Sequence, residues 1–212
     1  MSNTLVTNKD NMDGKIDMEK IRREIIGSDT NTIYRKYLNG NEVWYFKEFL
    51  NEQNYSNKYD EFKHYVNDKL KIRFNEIAIF GSAKCGFSLS PDKNLSLFNE
   101  KSDIDLALVS KDLYMEFWDE YLKKIYSGEI VSYNKFAKGV VRKFIELEQF
   151  PEDVSLYREW EKLADVEFYQ HLQFEFGIAH DINYRIFESW DAVESYYKAG
   201  ISELKRTLEV SI

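Results

Sequence analysis

The residues best suited to chemistry lie within one segment, residues 77–110. An apolar run ends at Gly81 and Ser82, and a second apolar run begins around Asp103 and Asp105. Glycine lets a backbone approach a ligand closely, and serine supplies a hydroxyl group as well as its N–H. A turn of this kind beside a pair of aspartates predicts a site for a phosphorylated ligand and a metal ion.

The two aspartates are expected to act together. Side chains two residues apart on a strand point to the same side, so Asp103 and Asp105 share a face while Ile104 and Leu106 enter the core. The strand rise puts their Cα atoms roughly 6–7 Å apart, and two ionised carboxylates repel each other. Mg²⁺ removes that repulsion and is commonly held by one or two carboxylates together with phosphate oxygens. Without the Gly-Ser turn, the same pair would be interpreted as a solvated strand end.

The residues around the turn supply the groups expected to bind phosphate. Ser82 stands at the head of a predicted short helix, and the N-terminus of a helix favours anions. Lys84 is placed within reach of the same phosphates. Ser102 comes just before the second strand, where it is expected to fix the direction of the chain or to hold a carboxylate.

This pattern resembles the polymerase-β-like nucleotidyltransferase superfamily, in which a strand ends in Gly-Ser, a short helix follows, and the next strand carries Asp-x-Asp. The resemblance covers residues 77–110, and the rest of the chain only shows a compatible order of elements. It implies that Gly81 and Ser82 hold a triphosphate, with Lys84 and Ser102 nearby. Asp103 and Asp105 would bind two Mg²⁺ (or Mn²⁺) ions with a third acidic residue.

This chain departs from the simplest members of that family in two ways. The stretch between the Gly-Ser turn and Asp103 is longer, and Lys84 lies where those members often have an arginine nearby. Neither departure removes a group that the chemistry requires.

The third acidic residue is the least defined part of the predicted site. Family members often place it on a later strand, and Asp181 is the first choice because it opens the last convincing strand. Asp165 and Glu167 are the second choice, and Asp181 capping a turn is the competing interpretation. Arg185, on the same strand, is interpreted as a surface arginine, with contact to a phosphate as the alternative. The predicted catalytic and metal-binding set is Asp103, Asp105 and Asp181.

Two functions follow from the resemblance. The first is an enzyme that transfers a nucleoside monophosphate from a nucleoside triphosphate to a hydroxyl group on a protein, an RNA end or another nucleotide. The second is a catalytically degenerate interaction module with the same fold, for example in a toxin–antitoxin or phage-defence system. Loss of the third carboxylate would mark the second function.

Composition limits the setting of this chemistry. The net charge of −8 disfavours broad binding to long RNA, which depends on neutralising phosphates. A single cysteine, Cys85, cannot form an internal disulfide, so we expect a cytoplasmic protein, and no apolar run predicts a membrane span. The three histidines show no spacing typical of a zinc site. The oligomeric state stays open.

The elements that must position these residues predict an α+β fold. We expect a small mixed β-sheet with strands near 76–80, 103–109 and 182–187, flanked by helices and extended by N- and C-terminal helices. Helical patterns cover residues 111–126, 134–148, 154–174 and 189–208. Residues 1–15 are predicted to be a flexible terminus, and residues 16–212 a single domain.

Overall fold

The computed structural model describes residues 16–129, 134–147 and 155–210. The predicted flexible terminus, residues 1–15, lies outside them. These residues form a mixed α/β structure with a four-stranded sheet and several helices. The prediction of a small mixed sheet flanked by helices is therefore confirmed at this level. No helix in the described ranges is both long and apolar enough to cross a membrane.

The sheet contains parallel and antiparallel pairs. Its strands are β1 (Ile77–Phe80), β2 (Ile104–Val109), β3 (Phe144–Glu146) and β4 (Ile182–Phe187), in the spatial order β1-β2-β4-β3. The central pair, β2 and β4, is parallel, whereas β1 and β3 are antiparallel to their neighbours. The N-terminal ends of β2 and β4 therefore lie beside the C-terminal ends of β1 and β3, at the same end of the sheet.

The helices begin and end where the sequence provides capping groups. Asp17, Asp29, Ser110 and Asp165 each accept a backbone N–H in the first turn of a helix. The nine α-helices of the described residues are α1 (Met18–Gly27), α2 (Thr30–Tyr37), α3 (Tyr55–Leu70), α4 (Gly81–Cys85), α5 (Lys111–Tyr126), α6 (Asn134–Val141), α7 (Ser155–Leu163), α8 (Val166–Phe176) and α9 (Trp190–Val210). A short π-helical segment, Tyr45–Phe49, precedes α3.

Each face of the sheet packs against its own set of helices. Leu106 and Ile186 lie on the face that packs against α3, α5 and α8. Ala107 and Phe187 lie on the opposite face, which packs against α1, α2 and α9. Because side chains alternate along a strand, Asp103 and Asp105 lie on the α9 side. The sheet is thus covered on both faces, and its polar strand ends lie beside α9.

Strand β3 replaces part of a predicted helix. The helical pattern over residues 134–148 continues only to Val141, and the backbone of Lys143 adopts the left-handed conformation with φ +61°. Phe144 and Ile145 then pair with β4 and are buried on opposite faces of the sheet. Neighbouring apolar residues fit either pattern in a short segment, so periodicity alone does not distinguish them.

Candidate functional site

A cleft of about 500 Å³ lies at the end of the sheet where β1 finishes and where β2 and β4 begin. It is lined by the Gly81-Ser82 turn, by residues at the ends of β2 and β4, by the segment from Ser88 to Lys93 and by helix α9. The charged and amide side chains that line the cleft are Asp92, Lys93, Asp103, Asp105, Arg142, Asn183, Arg185 and Glu203.

Gly81 brings the turn into direct contact with the second aspartate. Its φ of +65° is a conformation that glycine adopts readily and other residues disfavour. A Cβ atom at this position would lie 2.2 Å from Oδ2 of Asp105, so a larger residue would require the carboxylate or the backbone to shift. Glycine is therefore favoured both by the backbone conformation and by the close approach of Asp105, and it joins the two halves of the sequence motif.

Ser82 lines the cleft at the start of α4. Helix α4 contains only five residues, so it lacks the length to build up a substantial macrodipole. Any contribution of Ser82 to phosphate binding therefore rests on its own hydroxyl and N–H groups.

Asp105 is one end of a partly buried ion-pair chain with Arg185 at its centre. Nη1 of Arg185 donates a hydrogen bond to Oδ1 of Asp105 at 2.6 Å. The same guanidinium donates from Nε and Nη2 to Oε1 of Glu146, at 3.1 and 2.9 Å. Burial raises the pKa of Asp105, and the adjacent Arg185 counteracts this increase. The prediction that Arg185 is a surface residue is wrong, since its side chain is only 15% exposed.

Asp103 lies beside an amide rather than a guanidinium. Nδ2 of Asn183 donates a hydrogen bond to Oδ2 of Asp103 at 3.3 Å. In the parallel register of β2 and β4, Asn183 lies opposite Asp105, and Arg185 lies opposite Ala107. The part of β4 that borders the aspartate pair thus offers an amide and a cation.

The structure does not bring a predicted third carboxylate into the cleft. Asp181 is exposed and is absent from the cleft lining, and its backbone carbonyl accepts a hydrogen bond from the N–H of Ile104. Asp165 caps helix α8, and Glu167 lies exposed in the first turn of that helix. In residues 16–129, 134–147 and 155–210, no three His, Cys, Asp or Glu side chains form a group able to hold a metal ion. The catalytic role of Asp181 stays a prediction.

Two residues predicted to bind the nucleotide also point elsewhere. The side chain of Lys84 is buried, and its Nζ donates to the backbone carbonyl of Gly40. The hydroxyl of Ser102 accepts the N–H of Asn99, so this serine closes the turn that leads into β2. Neither residue lines the cleft.

The cations that line the cleft are Lys93, Arg142 and Arg185, none of which belongs to the Gly-Ser turn or to the Asp-x-Asp pair. Glu146 was missed because its segment was interpreted as helix. The alternating pattern of the sequence puts Asn183, Arg185 and Phe187 on one face of their strand. It does not show that this is the face of the sheet that carries the two aspartates. The parallel pairing of β4 with β2 establishes that.

Helix α9 provides an aromatic and open wall. The ring of Tyr197 stacks on that of Phe80 with centroids 4.6 Å apart, and the ring of Tyr196 lies 5.8 Å from the guanidinium carbon of Arg185. Gly200 lines the cleft one turn further along the helix, and a Cβ atom there would meet no other atom within 4 Å. This part of the cleft has room for a ligand.

The chain matched no protein-family model, no curated protein and no solved structure.

Proposed function

We propose that the protein binds a nucleoside triphosphate in this cleft and transfers the nucleoside monophosphate to a hydroxyl group of an acceptor. The observation that supports this most strongly is the direct contact between Gly81 and the carboxylate of Asp105. It places the turn and the Asp-x-Asp pair on one cleft of about 500 Å³, within the usual range for small-molecule sites.

The pair Asp103 and Asp105 fits one magnesium ion. Both residues line the cleft, and Mg²⁺ typically takes one or two carboxylates and completes its shell with phosphate oxygens and water. The resemblance implies two ions, but in the described part of the chain no third acidic side chain joins this pair to form a metal-binding group. The donor set therefore suits a single ion that arrives with the nucleotide.

The proposed reaction is a displacement at the α-phosphorus. The acceptor oxygen forms a bond to this phosphorus while the bond to the bridging oxygen of the β-phosphate breaks. Pyrophosphate leaves with the bridging oxygen, and the hydroxyl proton passes to water in the cleft. Bound Mg²⁺ would supply charge neutralisation for the leaving group.

The protein contributes positioning and fixed charge to this step. The hydroxyl of Ser82 and the cations Lys93 and Arg142 line the cleft, where they are available to phosphate oxygens. Phosphoryl transfer depends chiefly on such positioning and on electrostatic stabilisation, because little covalent chemistry is required of the protein.

The direct test uses nucleoside triphosphates labelled at the α-phosphate, with Mg²⁺ and candidate acceptors. Asp105→Asn keeps the shape of the side chain but removes its charge, and we expect transfer to fall by on the order of 10²-fold or more. Asp119→Asn, an exposed change on α5, is the matched control and should retain activity. Equal product formation by wild type and a folded Asp105→Asn variant would contradict the proposed reaction.

A specific observation favours a second function, nucleotide binding without turnover. Strand β4 presents Asn183 and Arg185 beside the aspartate pair, where the resemblance leads one to expect an acidic residue. This would be the mark of a degenerate interaction module. Nucleotide binding in the absence of labelled product or pyrophosphate release would select this alternative.

A further inference from the structure

The environment of Arg185 shows a cation that is built into the cleft. Glu146 accepts hydrogen bonds from Nε and Nη2, at 3.1 and 2.9 Å, while Nη1 extends to Asp105 at 2.6 Å. These contacts engage three of the five guanidinium N–H groups on carboxylates. A lysine has no planar fork with which to span two carboxylates in this way.

Arg185 offsets negative charge at the aspartate pair. Asp105 and Glu146 both accept hydrogen bonds from its guanidinium, and Asp103 lines the same cleft. The guanidinium therefore supplies, within the fold, a positive charge that a second metal ion would otherwise bring.

The position of Arg185 also makes it available to a phosphate. Its side chain lines the cleft although it is only 15% exposed, so its charge is poorly screened by water. A phosphate that approaches Asp105 therefore meets a fixed cation that also carries additional donors.

We propose that Arg185, held by Glu146, is the resident cation of the site and binds the phosphates of the nucleotide in place of a second metal ion. This inference rests on the proposed nucleotide binding. It predicts that part of the affinity for nucleotide persists in the absence of divalent cations. It also predicts that one metal ion, rather than two, binds with the nucleotide.

The first measurement counts metal ions in the wild-type protein. Equilibrium dialysis with Mn²⁺ and the α,β-methylene analogue of the most tightly bound nucleoside triphosphate should give one Mn²⁺ per bound nucleotide. Two ions per nucleotide would overturn the role of Arg185 and leave the proposed function standing. Absence of binding by all four nucleotides, with or without metal, would instead overturn the proposed function and this inference with it.

The second measurement compares variants in the presence of a chelator. Arg185→Gln should bind the same analogue about tenfold or more weakly than wild type, since a charged hydrogen bond is lost. Glu146→Gln keeps the guanidinium but loosens its anchor, so its affinity should fall by less. Arg73→Gln removes an exposed arginine elsewhere and should leave affinity unchanged.

Equal affinity of wild type and a folded Arg185→Gln variant in chelator would overturn the proposal. If Arg185→Gln fails to fold, the Mn²⁺ count on the wild-type protein still decides the question.

Discussion

At the scale of single residues, the contact between Gly81 and Asp105 is the point on which the site depends. The turn adopts a φ of +65° and leaves no space for a side chain, because Oδ2 of Asp105 occupies it. Arg185 holds the other carboxylate oxygen, so Asp105 has little freedom to move aside. The backbone conformation and the carboxylate position are therefore coupled.

Replacement of Gly81 tests this coupling. Gly81→Ala should destabilise the fold by about 1–3 kcal/mol and weaken nucleotide binding, because the new methyl group displaces Asp105. Gly128→Ala is a matched control, since Gly128 has a φ of +77° but a Cβ atom there would meet no other atom within 4 Å. Urea unfolding of both variants separates backbone strain from the clash. Equal destabilisation by the two changes would show that the clash is relieved at no cost.

A second prediction concerns the buried ammonium of Lys84. Burial lowers its pKa to about 8, so the folded state binds fewer protons than the unfolded state between about pH 8 and pH 10. The stability contributed by this group is therefore present at high pH and is lost as the pH falls towards 8. At pH 7, Lys84→Met should be more stable than wild type by on the order of 3 kcal/mol, less any cost of losing the Gly40 hydrogen bond.

Urea unfolding at pH 7, 8, 9 and 10 checks the sign of this effect. The stability advantage of Lys84→Met should shrink as the pH rises, because the wild-type ammonium loses its charge. Lys101→Met changes an exposed lysine and should show no such trend. If the difference in stability between wild type and Lys84→Met stays constant over this range, the pKa of Lys84 is not lowered by burial.

At the scale of secondary structure elements, helix α9 determines the space available to a ligand. Val193, Ile201 and Leu204 anchor it in the core on the cleft side of the sheet. Tyr196 and Gly200 line the cleft. The same helix therefore contributes stability through one side and a binding wall through another.

Substitution of Gly200 separates these two contributions. Gly200→Ala should stabilise α9 by about 1 kcal/mol through helix propensity and leave nucleotide binding unchanged. Gly200→Leu should be folded as well, but its larger side chain fills the cleft and should weaken binding at least tenfold. Thermal unfolding and a nucleotide titration on both variants provide the test. Full binding by Gly200→Leu would place the ligand elsewhere on the molecule.

Some elements were predictable from the sequence and others were not, for identifiable reasons. The helix over residues 111–126 and the strand over residues 182–187 have the predicted bounds, because both combine a clear period with capping or turn residues. Strand β3 is not predictable in this way, since three residues are too few to show alternation. For the same reason the sequence does not identify Glu146 as the residue that anchors Arg185.

At the scale of the whole molecule, the strand order assembles the site. Parallel pairing of β2 with β4 places Asn183 and Arg185 beside the aspartates, and β3 on the far side of β4 adds Glu146. The turn and the Asp-x-Asp pair lie within one segment, residues 77–110, so the sequence alone predicts that they belong to one site. Arg185 and its partner Glu146 are brought to the site by long-range strand pairing, which the local sequence does not show.

The cleft gathers both signs of charge within an acidic chain. The chain carries a net charge of −8, yet Lys93, Arg142 and Arg185 converge on the cleft that also contains the aspartate pair. Such a mixture suits a phosphorylated ligand that brings its own divalent cation. A ligand of this kind that binds only the folded protein should also stabilise it, by about 2.7 kcal/mol at a concentration of 100 times Kd.

The most direct measurement is a calorimetric titration of the wild-type protein with each of the four nucleoside triphosphates in the presence of Mg²⁺. We expect saturable binding of at least one nucleotide with a stoichiometry of one per chain, weakened in Gly81→Ala and Gly200→Leu. Absence of binding by all four nucleotides, or equal binding by these two variants and wild type, would contradict this expectation.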